Sequence, residues 1–358
     1  MPHGLPDAIR EQEEGFFLGI MSRTSFLLFV FYGTSEEDKR SCTDMQNMLI
    51  TRRISLCVLI GVLVSMLSSC STLGPSELKV YSPELLPEER ASITLGKLSP
   101  EHMYYQEVTT LDPKCADYIQ ELSIYDAEIN DTFVVHISLP PDYQEGQTYP
   151  MVVMTDGVWR LSDHPELRPM MVDGEIEPVI LVSIGYPVGY DHDEIRVRDL
   201  NTEAESYLHF VVDNLVPYLS EIFPVDPENM TLTGHSRGGF WTIFAMFNND
   251  TIGKNTFQNF YIGSPYFPSE TKGMHIEDLE KAYYAREKDL EYNVYFAVGG
   301  EEGNEYIPPL NAFVGLLEGR NYAGLVMEYD IYEGCKHDTV FKPSIREALL
   351  MFYGVEGV

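Results

Sequence analysis

The run Thr233-Gly234-His235-Ser236-Arg237-Gly238-Gly239 is the part of the chain best suited to chemistry. It is a G-x-S-x-G pattern. In that pattern a serine at a tight strand-to-helix turn exposes its hydroxyl, and glycines two residues to either side remove Cβ atoms that would clash. The backbone N–H of Arg237, at the predicted helix start, points to where a tetrahedral oxyanion would form. A bare G-x-S-x-G arises by chance in roughly one chain in ten of this length, so its context decides. Met230-Thr231-Leu232 ahead reads as a buried strand, and Phe240 to Phe247 behind reads as a buried helix. That is the setting the motif needs.

A serine hydroxyl is a poor nucleophile until a base takes its proton and a third group orients the base. In an α/β-hydrolase the chain order is Ser, acid, His. His337 lies in the polar loop Tyr332 to Asp338, after a predicted strand and before the last predicted helix. Loops at the carboxyl ends of strands are where an open α/β sheet places ligand chemistry. Between the two, Gly299-Gly300-Glu301-Glu302-Gly303-Asn304-Glu305 offers Glu301, Glu302 and Glu305 as the acid, and spacing leaves all three open. His235 is expected to pack rather than react, and His164, His192 and His209 have no nucleophile or ligand pattern near them. Asp191-His192-Asp193-Glu194 lacks zinc or calcium spacing and reads as an exposed acidic loop. The chain has no phosphate-cradling glycine loop, Cys-x-x-Cys pair or dinucleotide fingerprint. No metal or organic cofactor is implied.

The elements that must position these residues alternate along the chain. Ile119 to Tyr125 and Thr132 to Leu139 read as an antiparallel hairpin about the turn at 128–131. Met151 to Met154 and Val179 to Ile184 are nearly unbroken apolar runs, as expected of central parallel strands. Tyr207 to Ile222 has helical spacing. Further strands are expected at Asn259 to Ile262, Val294 to Val298 and Leu325 to Tyr329, with helices near 277–287, 308–317 and 343–352. This pattern is an α/β fold with a mostly parallel central sheet, helices on both faces and an antiparallel N-terminal hairpin.

With 358 residues, 44% hydrophobic and 12% aromatic, the chain can bury a large core. Its 24 Lys+Arg against 56 Asp+Glu give a formal charge of −32, which argues against nucleic acid or an anionic membrane surface as a partner. Met48 to Arg53 is a short basic lead, followed by an apolar run from Ile54 to Met66 and then Leu67-Ser68-Ser69-Cys70. The run is too short to span a bilayer and has the layout of a secretory signal. Its ending resembles a bacterial lipoprotein signal in which Cys70 becomes the lipidated first residue. Residues 48–69 are therefore expected to be the signal peptide, 70–105 a tether and irregular lead-in, and 106–358 the catalytic domain. Residues 1–47 are expected to be a misassigned start or a disordered segment, with translation beginning at Met48 or Met45. Two or more acyl chains on Cys70 would anchor the protein at about 0.8 kcal/mol per buried CH₂. The expected location is the cell envelope of a bacterium, on the outer membrane or a periplasm-facing membrane surface. Cys115 and Cys335 remain, either as a pair or as separate buried thiols.

From about Gln120 to Tyr353 the order of motifs resembles the putative-esterase branch of the α/β-hydrolases, which includes ferric-enterobactin esterases, esterase D and feruloyl esterases. The matching residues are Tyr149-Pro150, Thr155-Asp156-Gly157, Ile184-Gly185-Tyr186, Arg196 to Thr202, Val225-Asp226-Pro227-Glu228, the serine motif, Gly263-Ser264-Pro265, Val298 to Glu302 and His337-Asp338. The resemblance implies Ser236 as nucleophile, His337 as base, Glu302 as acid, and a second oxyanion amide at Val158 beside that of Arg237. Asp156 is assigned a turn-forming side chain and no proton transfer. Two positions depart from the family. Asn201-Thr202 stands where Thr-Pro is usual, and Gly263 to Phe267 lacks the common tryptophan. Both bear on the shape of the pocket.

The implied activity is carboxylic-ester hydrolysis through an acyl-enzyme, on a small acyl or carbohydrate ester. The implied partners are that small-molecule substrate and the lipid anchor, with no obligate protein partner. A siderophore trilactone is a competing substrate class, and a polyanionic ferric catecholate would require Arg160, Arg168 or Arg196 in the pocket to offset the acidic surface. The same scaffold could also serve an acyltransferase, in which an alcohol outcompetes water, or a binding lipoprotein without catalysis.

Overall fold

Alternating and unbroken apolar runs become two kinds of strand. The computed structural model describes residues 93–355 except 272. The expected signal peptide, Cys70 and residues 1–47 lie outside the described residues. Strand β1 (Thr94–Lys97) precedes the hairpin of β2 (Ile119–Asp126) and β3 (Asp131–Ser138), in which Ile119 faces Ser138 and Asp126 faces Asp131. Asp126 Oδ1 accepts from the backbone N–H groups of Glu128 and Ile129 at 3.0 and 2.8 Å, closing the turn. The remaining strands are β4 (Tyr149–Met154), β5 (Ile180–Gly185), β6 (Val225–His235), β7 (Asn259–Gly263), β8 (Asn293–Gly299) and β9 (Val326–Tyr332). Every residue of β4, β5 and β7 is buried, as unbroken apolar runs require.

The sheet runs β1-β2-β3-β5-β4-β6-β7-β8-β9, antiparallel through the β3–β5 pair and parallel from β5 to β9. Strand β1 falls in the stretch expected to be an irregular lead-in. All its residues are exposed, so no burial pattern marks it, and pairing with β2 alone makes it a strand.

Two helices follow β4, α1 (Gly157–Arg160) and α2 (Asp163–Val172), and α3 (His192–Val197) follows β5. The acidic run at 191–194 is thus a helix start rather than a loop. Asp191 Oδ1 accepts from the N–H groups of Asp193 and Glu194 at 3.0 and 3.1 Å, which is an N-cap. The helix expected over Tyr207 to Ile222 is present as α4 (Ala204–His209) and α5 (Val216–Ile222), joined by a widened π turn over Phe210–Leu215. Pro217 has no N–H to close a four-residue turn, and the wider winding lies directly before it. Helices α6 (Arg237–Phe247), α7 (Ile276–Arg286), α8 (Ile307–Arg320) and α9 (Phe341–Tyr353) complete the set.

The helices cover both faces of the sheet. On one face, α2 and α9 bury Leu167, Met170, Ile345 and Leu349 against Val152 and Leu181. On the other, Leu208, Leu215, Phe240, Leu279 and Leu310 join a larger core with Val153, Leu232 and Phe296. Among the described residues no helix is long and apolar enough to cross a membrane. Cys115 is buried, Cys335 partly so, and both are free thiols.

The chain steps from β4 to β5 on one side and then returns to place β6 on the other side of β4. Such a reversal opens a crevice at the carboxyl ends of the strands. The residues after β4 and β6 are Asp156 to Val158 and Ser236, so the topology delivers two of the predicted site segments to one place.

Candidate active site

Ser236 joins β6 to α6 with φ 60° and ψ −120°. A non-glycine residue held at such a φ costs on the order of 1–3 kcal/mol and persists only where its surroundings over-determine it. Here they do. The Ser236 N–H donates to the Gly263 carbonyl at 2.9 Å, and the Ser236 carbonyl accepts from the N–H groups of Phe240 and Tyr266, both at 3.0 Å. The flanking glycines are needed for space. A Cβ on Gly234 would overlap the Gly238 carbonyl, and one on Gly238 would overlap Thr155 Oγ1 and lie 2.8 Å from Asp156 Oδ2. The start of α6 therefore rests directly on the turn that leads into α1.

His337 stands across the same crevice. Its Nδ1 lies 2.6 Å from Glu302 Oε2, and the Glu302 side chain is only 1% exposed. The other carboxylate oxygen, Oε1, accepts from Ser264 Oγ at 2.5 Å and from the Gly299 N–H at 2.7 Å. Of the three acids left open by spacing, Glu302 is the one brought to His337, and Glu301 and Glu305 are exposed. The imidazole is sandwiched between His235 and Tyr306, with ring centroids 4.6 and 4.5 Å away. His235 packs, as expected. Burial, then the nearby His337, Arg160 and Arg196, push it well below its ordinary value, so it stays neutral.

Val158 and Arg237 sit in the first turns of α1 and α6. N–H groups in a first helical turn have no acceptor within their own helix and are available to an anion. The Arg237 side chain turns elsewhere: Nη1 donates to Asn201 Oδ1 at 2.5 Å, and Asn201 Nδ2 donates to the Glu270 carbonyl at 3.1 Å. The departure at Asn201 is thereby explained as a brace for Arg237.

Ser236 and His337 line one cavity of about 240 Å³ together with Asp156, Trp159, Arg160, Arg196, His235, Asp338 and Phe341. Two of the three arginines considered for a polyanionic ligand are thus at the site. Arg168 is not; it stacks 4.3 Å over Tyr118 and donates to the Leu139 carbonyl at 2.6 Å. Asp156 differs from its expected part. Its side chain closes no turn; instead Oδ1 and Oδ2 accept from Arg196 Nε and Nη2 at 2.6 and 3.2 Å. Burial opposes the Arg196 charge, but the Asp156 carboxylate outweighs it and raises Arg196 above its ordinary value. Arg160 lies 3.0 Å from Asp163 and 3.6 Å above the Phe341 ring. The one set among the described residues with metal-ligand spacing, His102, Glu121 and His136, lies outside this cavity.

Sequence reasoning assigns no role to Ser264 or Tyr306. Ser264 carries a signal, since Gly263-Ser264-Pro265 belongs to the matched motifs; Tyr306 carries none.

The sheet order, the strained serine turn and the histidine loop after β9 define an α/β-hydrolase fold. A family model described as putative esterase matches residues 127–303, a span that holds Ser236 and Glu302. Over that span the chain is similar to the esterase family of the α/β-hydrolases, and the match supports ester hydrolysis in general. Among solved structures it is similar to the BES protein from Bacillus cereus, with 23% identity, TM-score 0.59, and coverage of 66% of this chain and 95% of that one. It is also similar to the siderophore hydrolase EstA from Aspergillus nidulans, with 16% identity, TM-score 0.58, and coverage of 68% and 96%. The siderophore hydrolase EstB from the same organism shares 20% identity and a TM-score of 0.56 over 70% and 99%. At these identities the likeness is one of fold. No curated protein matches the chain.

Proposed function

We propose that this protein is a serine carboxylic-ester hydrolase acting through an acyl-enzyme, with Ser236 as nucleophile, His337 as base and Glu302 as the orienting acid. The observation that carries the proposal is the convergence of Ser236 and His337 on one cavity while Glu302 holds the far nitrogen of the imidazole. With Nδ1 engaged by Glu302, Nε2 is the nitrogen left to take the Ser236 proton as Oγ attacks the ester carbonyl. The N–H groups of Arg237 and Val158 receive the developing oxyanion. His337 then protonates the departing alcohol. Water, deprotonated by His337 in turn, releases the acid and restores Ser236.

A small acyl or carbohydrate ester suits the cavity best. Its volume of about 240 Å³ falls below the usual range for drug-sized ligands, roughly 300–1,000 Å³. Its charges are largely paired within the protein, Arg196 with Asp156 and Arg160 with Asp163. A second reading, a siderophore-type polyanionic ester, is favoured by the presence of both arginines in the cavity lining. The layout from Met48 to Cys70 supports an envelope lipoprotein anchored at Cys70 as part of the same proposal. A panel of short nitrophenyl esters, acetylated sugars and a catecholate trilactone tests the substrate. Turnover of the small esters that vanishes in Ser236→Ala is expected, and turnover that persists in that variant would refute the mechanism.

A further inference from the structure

We propose that His102, Glu121 and His136 form a binding site for one divalent transition-metal ion, best suited to zinc. The site lies outside the cavity of Ser236 and His337 and goes beyond the esterase reading.

The hairpin register creates the pair at its heart. Glu121 on β2 faces His136 on β3 directly, and opposed residues in such a ladder hold their side chains on the same face within about 4.5–5.5 Å at Cβ. His102 opens a 3-10 turn, His102–Glu107, that lies over this face. Glu121 Oε2 is 2.9 Å from His102 Nδ1 and 3.7 Å from His136 Nε2, and the three ligand atoms all fall within 4.8 Å of one another. Tetrahedral zinc with bonds of about 2.0–2.2 Å sets its donors about 3.3 Å apart, between the two shorter separations.

The second observation is the state of the imidazoles. His136 is 0% exposed and neither ring nitrogen makes a hydrogen bond, and His102 Nε2 is likewise buried without a partner. Burying such groups unpaired is costly, and native structures avoid it. Ligation would satisfy His136 Nε2. Two imidazoles and one carboxylate match zinc rather than magnesium or calcium, which prefer all-oxygen shells. The Ser99 N–H supports the carboxylate, donating to Glu121 Oε2 at 3.0 Å, and the Ser99 Oγ, 2.9 Å from His102 Nδ1, lies beside the ligand atoms. That hydroxyl, or solvent entering past the partly exposed Glu121 side chain, is placed for the fourth position. His164 stands apart, with Nε2 3.1 Å from Ser183 Oγ.

The turn that carries His102 also backs the crevice. The Tyr105 hydroxyl donates to the Tyr186 carbonyl, and Thr109 Oγ1 donates to the carbonyl of Val158. A metal at His102 would fasten this segment to the sheet and so brace the turn that presents Val158.

The test uses the purified full chain, stripped with chelator and titrated with zinc chloride by calorimetry and by equilibrium dialysis with elemental analysis. One equivalent bound by wild type and by Ser236→Ala, and lost in both His102→Asn and Glu121→Gln, is the expected result. Zinc should also raise the melting temperature of wild type by several degrees and leave that of His102→Asn unchanged. Cobalt in place of zinc should give the strong visible bands of a tetrahedral nitrogen and oxygen site. Substoichiometric binding, or a full equivalent retained by both variants, would overturn the proposal. Because Ser236→Ala binds normally under it, a failed esterase mechanism and a failed metal site give different results.

Discussion

His337 Nδ1 and Glu302 Oε2 stand 2.6 Å apart, and the opposite oxygen of the same carboxylate is clamped by Ser264 Oγ and the Gly299 N–H. The carboxylate is therefore fixed at both ends, and the imidazole it holds can turn only one nitrogen toward the cavity. An amide at 302 cannot serve both sides, because its NH₂ group must face either the Ser264 hydroxyl and Gly299 N–H donors or the Nδ1 proton. Glu302→Gln should lower kcat by roughly 10²- to 10⁴-fold with little change in KM. Steady-state kinetics on a short nitrophenyl ester checks this, and an unchanged kcat would remove Glu302 from the machinery.

Ser264 acts one step further out. It is buried, sits at φ 39°, and spends its hydroxyl on Glu302. Ser264→Ala leaves the Gly299 N–H in place, so the carboxylate should loosen without leaving. A loss of about 10-fold in kcat corresponds to about 1.4 kcal/mol, the scale of one hydrogen bond to a charged group. The pH profile of kcat should shift as well, which mere loss of packing would not produce.

Gly238 separates α6 from Thr155 and Asp156. Gly238→Ala should cost about 1–3 kcal/mol through overpacking. At the scale of a domain of 150–250 residues, each kcal/mol lowers the melting temperature by about 2–4 °C. Thermal unfolding measures the loss, and activity should fall too, since the pushed-apart segments carry Arg237 and Val158.

A pH dependence of stability follows from α4. His209 Nδ1 lies 2.7 Å from Asp213 Oδ2, and Asp213 Oδ1 also binds Lys254 Nζ. The Asp213 hydrogen bond, outweighing burial, raises His209 above its ordinary value. A raised folded value means the folded state binds the proton more tightly than the unfolded chain. Its contribution is complete below the unfolded value of about 6.5 and is lost as pH climbs through the folded value. Urea midpoints taken at pH 6 and at pH 8.5 should therefore differ less in His209→Gln than in wild type.

The legible part of the fold is the part whose burial leaves a local pattern. Strands β4, β5, β7 and β8 are covered on both faces and read directly as apolar runs, and α6 follows from its unbroken buried stretch. Helix α2 is illegible because it contains Pro169 and buries Asp163 and His164 beside its apolar residues, which blurs any stripe. Strand β1 has no buried side to read. Within the site, the order of Ser236, the glutamates and His337 is visible in the sequence, while the choice of Glu302 needs the family resemblance. The ion pair of Asp156 with Arg196 joins residues 40 positions apart in sequence. No local pattern encodes such a contact, and so Asp156 reads as a turn residue until the fold brings Arg196 to it.

The most direct test of the account is covalent capture of the nucleophile. The purified protein is treated with a fluorophosphonate probe and the labelled peptide is identified by mass spectrometry, in wild type, Ser236→Ala and His337→Gln. The account predicts one label per chain, located on Ser236, absent from Ser236→Ala and strongly slowed in His337→Gln. Label on another residue, or equal labelling of folded Ser236→Ala, would contradict it.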